Sequence, residues 1–462
     1  MTVHTSAFAT RSPAMPLRSL ILPAAALLAA GLLTAPPRAF TVTGDLLPLE
    51  QRDARVFDNF TDPEAHSNSF PDPSFPGYSG PALALWKACV EWGSELHFEG
   101  NGDPAQPGDL GSGGANFDPT WQGHATSVGG PDDNVMSEIS GNGAGVLAFT
   151  ETPTSDGWRI RFYALPWVWH DKPAGVPLGF PHADLQGIAC HEYGHALGLG
   201  HSSDPQATML AFAPPDMTAW RSIEQDDRDG VQFVYGPRST SKPSVARYVL
   251  LPQGAIRIEG SGFAPLANEV WFTQAGSGGD GTPVKALGLA SSSGGTELTL
   301  VPPAAAGPGD LLVRVPGSSG AALSNAFPFA PGENPCYAPK AYGTGKTTSS
   351  GSVATIDWTG STSVAQNGFQ VTAHGLPAGQ GGVVFWGAAP QSTPFLGGHL
   401  LVQGPLQRGP KFTTDLFGFA SVPIPLDPSW VDVTLYVQCW FSDPADPAGA
   451  GTTSALAVTF CK

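Results

Sequence analysis

The stretch His191-Glu192-Tyr193-Gly194-His195-Ala196-Leu197-Gly198-Leu199-Gly200-His201 decides how the chain is read. On a helix, His191 and His195 stand one turn apart and project from the same face. Both imidazoles can therefore reach one tetrahedral ion. Gly198 lets the backbone leave the helix through a conformation that residues with a Cβ resist, and the returning chain brings His201 back as a third ligand. Three neutral nitrogens leave one position of a zinc ion open, as catalysis requires. Glu192 follows the first histidine and is not needed as a ligand. It is placed to take a proton from a water and pass it to a leaving amine. A bare pair of histidines arises by chance, but five fixed positions recur on the order of once per 10⁵ chains of this length. One catalytic zinc is the expectation.

Outward from this stretch, Leu185, Ile188 and Ala189 repeat at helical spacing and predict a helix over 184–197. Pro81 opens another, with Ala82, Leu85, Trp86, Cys89 and Val90 on one face. Ser222 and Gln225 read as the capping box of a third, which Gly236 ends. Strands are expected at 55–60, 95–98, 134–139, 146–150 and 158–163, with a long loop region over 100–133.

These residues resemble the metzincin signature, and His201-Ser202-Ser203-Asp204 narrows the resemblance to the matrixins, the matrix-metalloprotease-like group. Met209 falls where that family places its Met-turn, and Gln225 to Gly236 resembles its final helix. The resemblance implies that Asp226 and Asp227 buttress the Met-turn. It implies also that Gly145-Val146-Leu147-Ala148 belongs to the edge strand that pairs with an extended substrate, with Leu147 and Ala148 as substrate-binding residues. Matrixins usually carry Tyr-Pro after the methionine, whereas Leu210-Ala211 stands here. No cysteine-switch motif and no histidine set for a second zinc is recognisable. Asp132 and Asp133 lie in a loop open to calcium, but solvated loop acids are the expected reading, since calcium needs six or more converging oxygens.

After Gly236 the helical signal ends. Residues 237–243 read as a linker of Ser, Thr, Lys and Pro. Runs such as Ile256-Arg257-Ile258 and Leu311-Leu312-Val313 then alternate with glycine turns at sandwich-like intervals. Ile258-Glu259-Gly260-Ser261-Gly262-Phe263 and Gly307-Pro308-Gly309-Asp310 resemble an IPT/TIG immunoglobulin-like domain. The fold class expected is thus an α+β metzincin-like catalytic domain, a twisted mixed sheet with three helices, followed by two all-β sandwich-like domains. The divisions are a signal peptide over 1–39, a linker or short pro-segment over 40–52, the catalytic domain over 53–236, the linker, an IPT/TIG-like sandwich over 244–331 and a C-terminal all-β domain over 332–462. Trp271, Trp358, Trp386 and Trp440 read as core rather than as a sugar-binding face.

The 462 residues hold 39 acids against 22 bases, for a net charge of −17, with no basic run. That balance disfavours nucleic acid. Arg11 and Arg18 precede an apolar run over 20–33 that is too short to span a bilayer and has the order of a secretory signal. No stable membrane span is expected. Of the five cysteines, Cys89 is expected to pair with Cys190, and Cys336 with Cys461 or Cys439. The combined reading is a secreted zinc endopeptidase acting on extracellular polypeptides, whose C-terminal domains engage a protein or glycan surface. The alternative is a non-catalytic adhesive or scaffolding surface protein with a vestigial protease domain.

Overall fold

A chain poor in charge and rich in turns favours short strands over helices, and strands carry most of this molecule. The computed structural model describes residues 38–69, 72–100, 109–154, 157–276 and 279–462. The expected signal segment lies almost wholly outside the described residues.

The first half is built on a five-stranded mixed sheet. Short strand β1 is Thr41–Val42; β2 is Asp53–Phe57, β3 Thr120–His124, β4 Val135–Asn142, β5 Ala148–Thr154 and β6 Gly157–Leu165. The sheet order is β3-β2-β4-β6-β5. Strands β3, β2, β4 and β6 are parallel, whereas β5 runs antiparallel to β6 and holds the edge. Helix α1 is Gly80–Glu91, α2 Leu185–Ala196 and α3 Gln225–Tyr235. Ala54, Val56, Ile160 and Phe162 of the sheet bury one face against Leu85, Ile188 and Ala189 of the helices. Two small pairings complete this half: parallel β7 (Val168–His170) with β8 (His182–Asp184), and antiparallel β9 (Leu199–Gly200) with β1.

Several local expectations are corrected by long-range contacts. The stretch 95–98 is not a strand: Phe98 has φ of +55°, which a strand excludes, and the His97 ring turns away to Asp310. Helix α3 starts two residues later than its sequence suggests, because the capping box uses Glu224 and Asp227 rather than Ser222 and Gln225. The Ser222 carbonyl is taken by the Thr208 hydroxyl and the Ile223 N–H by Glu91. Cys89 and Cys190 do not pair. Both are fully buried free thiols that pack as small apolar side chains in the core. Cys439 is also a buried free thiol, and the disulfide joins Cys336 to Cys461.

The second half is all strand. Strands β10 (Ser244–Leu250), β11 (Ile256–Ser261), β12 (Asn268–Gln274), β13 (Val284–Leu289), β14 (Ser291–Ser292), β15 (Glu297–Leu300), β16 (Ala306–Arg314) and β17 (Phe327–Phe329) follow in order. They form two four-stranded sheets, β10-β11-β15-β14 and β13-β12-β16-β17, around Tyr248, Ile258, Phe272, Leu311 and Phe329. Next come β18 (Lys340–Tyr342), β19 (Thr355–Thr359), β20 (Gln370–His374), β21 (Gly381–Gly387), β22 (Ala389–Phe395), β23 (Gly398–Gln403), β24 (Gln407–Thr413), β25 (Ala420–Pro423), β26 (Thr434–Ser442) and β27 (Ala450–Thr459). Sheet β18-β27-β26-β21-β24 packs on β19-β20-β25 through Val371, Val384, Cys439 and Leu456, while β22 and β23 form a separate hairpin. Trp271 is core, as expected, beside Leu49 and Leu312. Trp386 and Trp440 pair with Val437 and Val383 respectively, an odd number of residues apart on β21. They therefore lie on opposite faces of that sheet and make no common aromatic platform.

The halves meet through buried polar contacts. Asp310 of β16 accepts from Trp86 of α1 and sits 2.9 Å from His97, and the Thr273 hydroxyl donates to the Trp121 carbonyl. Within the stretch 237–243, Lys242 is 2% exposed, and its ammonium lies 2.8 Å from an Asp118 carboxylate oxygen. Breaking such a pair strands a buried charge, at a cost of about 3–5 kcal/mol. Lys242→Met is expected to lower the urea midpoint of the full chain accordingly, and adding Asp118→Leu to recover part of the loss. An unchanged midpoint in the single variant would show that the pair does not anchor this stretch.

Candidate metal centre and active site

Helix α2 is fixed at its start before it presents anything. The Asp184 carboxylate accepts from the Gly187 N–H at 2.7 Å, capping the helix. The same carboxylate is gripped by the Arg221 guanidinium, which also donates to the carbonyls of Lys172 and Pro173. Every residue of α2 except His195 is buried. This explains why its apolar pattern is less one-sided than that of a surface helix.

At the far end, Gly198 has φ of +91°, and a Cβ there would sit 2.4 Å from the Asp45 carbonyl oxygen. The expected departure from the helix thus occurs where only glycine fits. The chain then runs through β9, which pairs Thr41 with Gly200 and Val42 with Leu199. Residues 41–43, expected as linker or pro-segment, accordingly hold the return path to His201. The Thr41 hydroxyl donates to the His201 carbonyl, and the Thr43 N–H to that of Gly198.

His191, His195 and His201 converge, with one ligand atom from each lying within 4.8 Å of the others. The Nδ1 of His191 lies 2.6 Å from the Thr208 carbonyl and that of His195 lies 2.8 Å from the Leu199 carbonyl. Carbonyls only accept, so each Nδ1 carries the proton and each Nε2 offers a lone pair. Burial, and then the neighbouring His195, push the His191 pKa down to about 3, which keeps that ring neutral. The Trp220 indole stacks on His191 at 4.7 Å and 12° and holds its plane. Neutral imidazoles with set tautomers form a donor set that fits zinc. Among the described residues this is the one group of three metal-binding side chains drawn so close. Asp132 and Asp133 are exposed and belong to no such group; Asp133 accepts from the Gly130 N–H.

Met209 and the two aspartates divide their work. The Asp227 carboxylate accepts from the N–H groups of Thr208 (2.8 Å), Met209 (3.0 Å) and Glu224 (2.9 Å), tying the turn to the start of α3. Burial pushes its pKa up to about 6 against these bonds. Asp226 accepts instead from the Ser202 hydroxyl at 2.6 Å and the Phe40 N–H at 3.1 Å. Met209 is 1% exposed under α2, and a Cβ on Gly194 would meet its sulfur at 2.3 Å and the Trp92 ring at 2.8 Å. The sequence reading passed over Gly194. Its signal was a glycine inside a helix, a costly choice that marks close approach.

Glu192 is 6% exposed, and burial raises its pKa to about 7. The Thr150 hydroxyl, on edge strand β5, lies 2.8 Å from Glu192 Oε2 and 2.7 Å from the Glu192 carbonyl. Thr150 also escaped the sequence reading, because the contact joins elements 42 residues apart. A cleft of about 750 Å³ runs past these groups, between Leu147, Ala148 and Thr150 on one side and Ala211, Phe212 and Pro215 on the other. The Leu147 carbonyl is occupied by the Tyr163 N–H. Alternation along an antiparallel strand therefore turns the backbone groups of Ala148 and Thr150 to the open edge. Leu210, in the place of the family's tyrosine, packs against the core, and Ala211 lines the cleft.

Residues 112–236 match the family model described as Matrixin. This segment is a matrixin domain. Matrix metalloproteinase-25 of Mus musculus is 53% identical over 55 residues, covering 12% of this chain and 9% of that protein. Metalloendoproteinase 1 of Glycine max is 51% identical over 93 residues, 20% of this chain and 29% of its own. Neutrophil collagenase of Homo sapiens is 51% identical over 49 residues, 11% and 10% of the two chains. The chain thus spans less than a third of each of these relatives. The matrixin match begins after β2 and α1, although β2 lies inside the domain's sheet and α1 packs against α2.

Two variants test the support of the matrixin site. Gly194→Ala forces Met209 away and is expected to lose at least 1–3 kcal/mol, roughly the cost of overpacking, with a matching drop in zinc retention on dialysis; full retention would exclude the contact. Thr150→Val removes a bond to a charged group worth about 1.5–3 kcal/mol. It is expected to lower kcat by roughly tenfold or more at little change in KM, and Thr150→Ser to restore it. Equal losses in both variants would assign the threonine to packing.

Proposed function

We propose that the chain is a secreted zinc endopeptidase whose catalytic unit spans residues 53–236. The observation that carries this reading is the convergence of three imidazoles beside a buried carboxylate, at the wall of a cleft bordered by an open strand edge. His191, His195 and His201 would hold the ion. Zinc, when bound, supplies a Lewis acid that eases deprotonation of water and polarises a carbonyl.

The chain's own groups supply the rest. The backbone of Ala148, turned away from β6, extends the sheet onto a peptide held straight, with Leu147 shaping the same wall. Glu192 Oε2 is held by Thr150, which leaves Oε1 to accept a proton from the attacking water and return it to the leaving amine nitrogen. Gly198 and Met209 keep the histidines in place, as do Asp226 and Asp227. The Cys336–Cys461 disulfide supports an oxidising, extracellular destination. No helix among the described residues is long and apolar enough to cross a membrane. The strands over 244–331 are carried as an IPT/TIG-like module and those over 332–462 as a separate unit.

The reading as a vestigial, purely adhesive protein expects a lost ligand or a lost glutamate, and nothing in the site favours it. Glu192→Ala is expected to abolish cleavage of a peptide library while the protein still retains about one zinc per chain. Chelation should silence the wild type and zinc should restore it. Substantial turnover by Glu192→Ala, or activity indifferent to chelation, would defeat the assignment.

A further inference from the structure

The β18-β27-β26-β21-β24 sheet has a second face, turned away from its core, that ought to be polar. Under the β22–β23 hairpin it carries an apolar patch instead. Strand register places Val383 beside Trp440 and beside Lys411, with Phe385 in the next row beside Arg408. Lys411 and Arg408 are three apart and would normally point to opposite faces. One extra residue in β24, at Gly409-Pro410, shifts the register and brings both cations to the same side.

The β22–β23 hairpin folds over this face and is pinned there by Gln438, which donates to the His399 carbonyl and accepts from the Leu401 N–H. Between hairpin and sheet lies a cavity of about 860 Å³, floored by Val383, Phe385 and Trp440 and roofed by Phe395, Leu400 and Leu406. That volume is within the range of about 300–1,000 Å³ usual for small-molecule sites. No acidic side chain lines it; Arg408 and Lys411 do, and both are exposed. Neither has an ion pair among the described residues, in a chain with 39 acids for 22 bases. Unpaired cations at an apolar trough complement an anion with an apolar body.

We propose that this cavity binds the monomer of a long-chain fatty carboxylate, its head on Arg408 and Lys411 and its chain along Phe385, Trp440 and the hairpin. The floor residues Val383, Phe385 and Trp440 stand on β21 and β26, inner strands whose backbone groups are spent on their neighbours. A peptide would find no main-chain partners there, whereas an alkyl chain needs none. Trp386 faces the other side, so a sugar finds no paired aromatic platform.

The test uses the full chain, with a bromine-substituted stearate as quencher of Trp440 fluorescence and Trp440→Phe as the blank. Saturable quenching that tightens severalfold with each added CH₂ across a series of saturated carboxylates is expected. Arg408→Gln with Lys411→Gln is expected to weaken binding at least tenfold without changing the melting temperature or peptide cleavage. Equal binding of the uncharged alcohol of the same length would overturn the proposal. So would undiminished binding by the double variant, or a Trp440 already shielded by a concentration-dependent dimer. None of these readouts depends on the protease assignment.

Discussion

Two backbone carbonyls, those of Thr208 and Leu199, decide which nitrogen each helix histidine presents. Without them the Nδ1 and Nε2 tautomers of a neutral imidazole compete, and convergence of three rings would not by itself make a donor set. Each carbonyl is in turn placed by a different part of the fold. Thr208 is held by Asp227 of α3, whereas Leu199 lies in β9 and is pinned by β1. The histidine triad is therefore the meeting point of a buried helix, a capped turn and a short antiparallel pair, and each of them helps to hold its geometry.

Glycine sets the clearance in this arrangement. At Gly194 the absence of a side chain admits the Met209 sulfur, and at Gly198 it admits the Asp45 carbonyl under a positive φ. Gly194 trades helix propensity for proximity, whereas Gly198 lies just past the helix end, where a positive φ favours glycine. Across the cleft, antiparallel β5 at the rim of a mostly parallel sheet leaves one side of its backbone outside the ladder.

The stretch His191 to His201 was legible because its chemistry is local: helical periodicity alone brings His191 and His195 together, and one glycine suffices to return His201. The helices around it and four of the strands were legible for the same reason. What could not be read depended on distant partners. Ser222 looks like a cap, but its surroundings are claimed by Thr208 and Glu91. Glu95 to Phe98 alternates like a strand, yet His97 is drawn to Asp310 more than two hundred residues away. Cys89 and Cys190 suggest a pair because both lie in the first half of the chain, but core packing keeps both as thiols. Thr150 carried no sequence signal, because a threonine in a strand is ordinary until Glu192 is seen beside it.

The measurement that bears most directly on this account is X-ray absorption at the zinc edge, recorded on the loaded full chain and on His201→Ala. Three imidazole nitrogens at about 2.0–2.1 Å are expected in the wild type, falling to two in the variant. A sulfur neighbour, or an imidazole count that His201→Ala leaves unchanged, would contradict it.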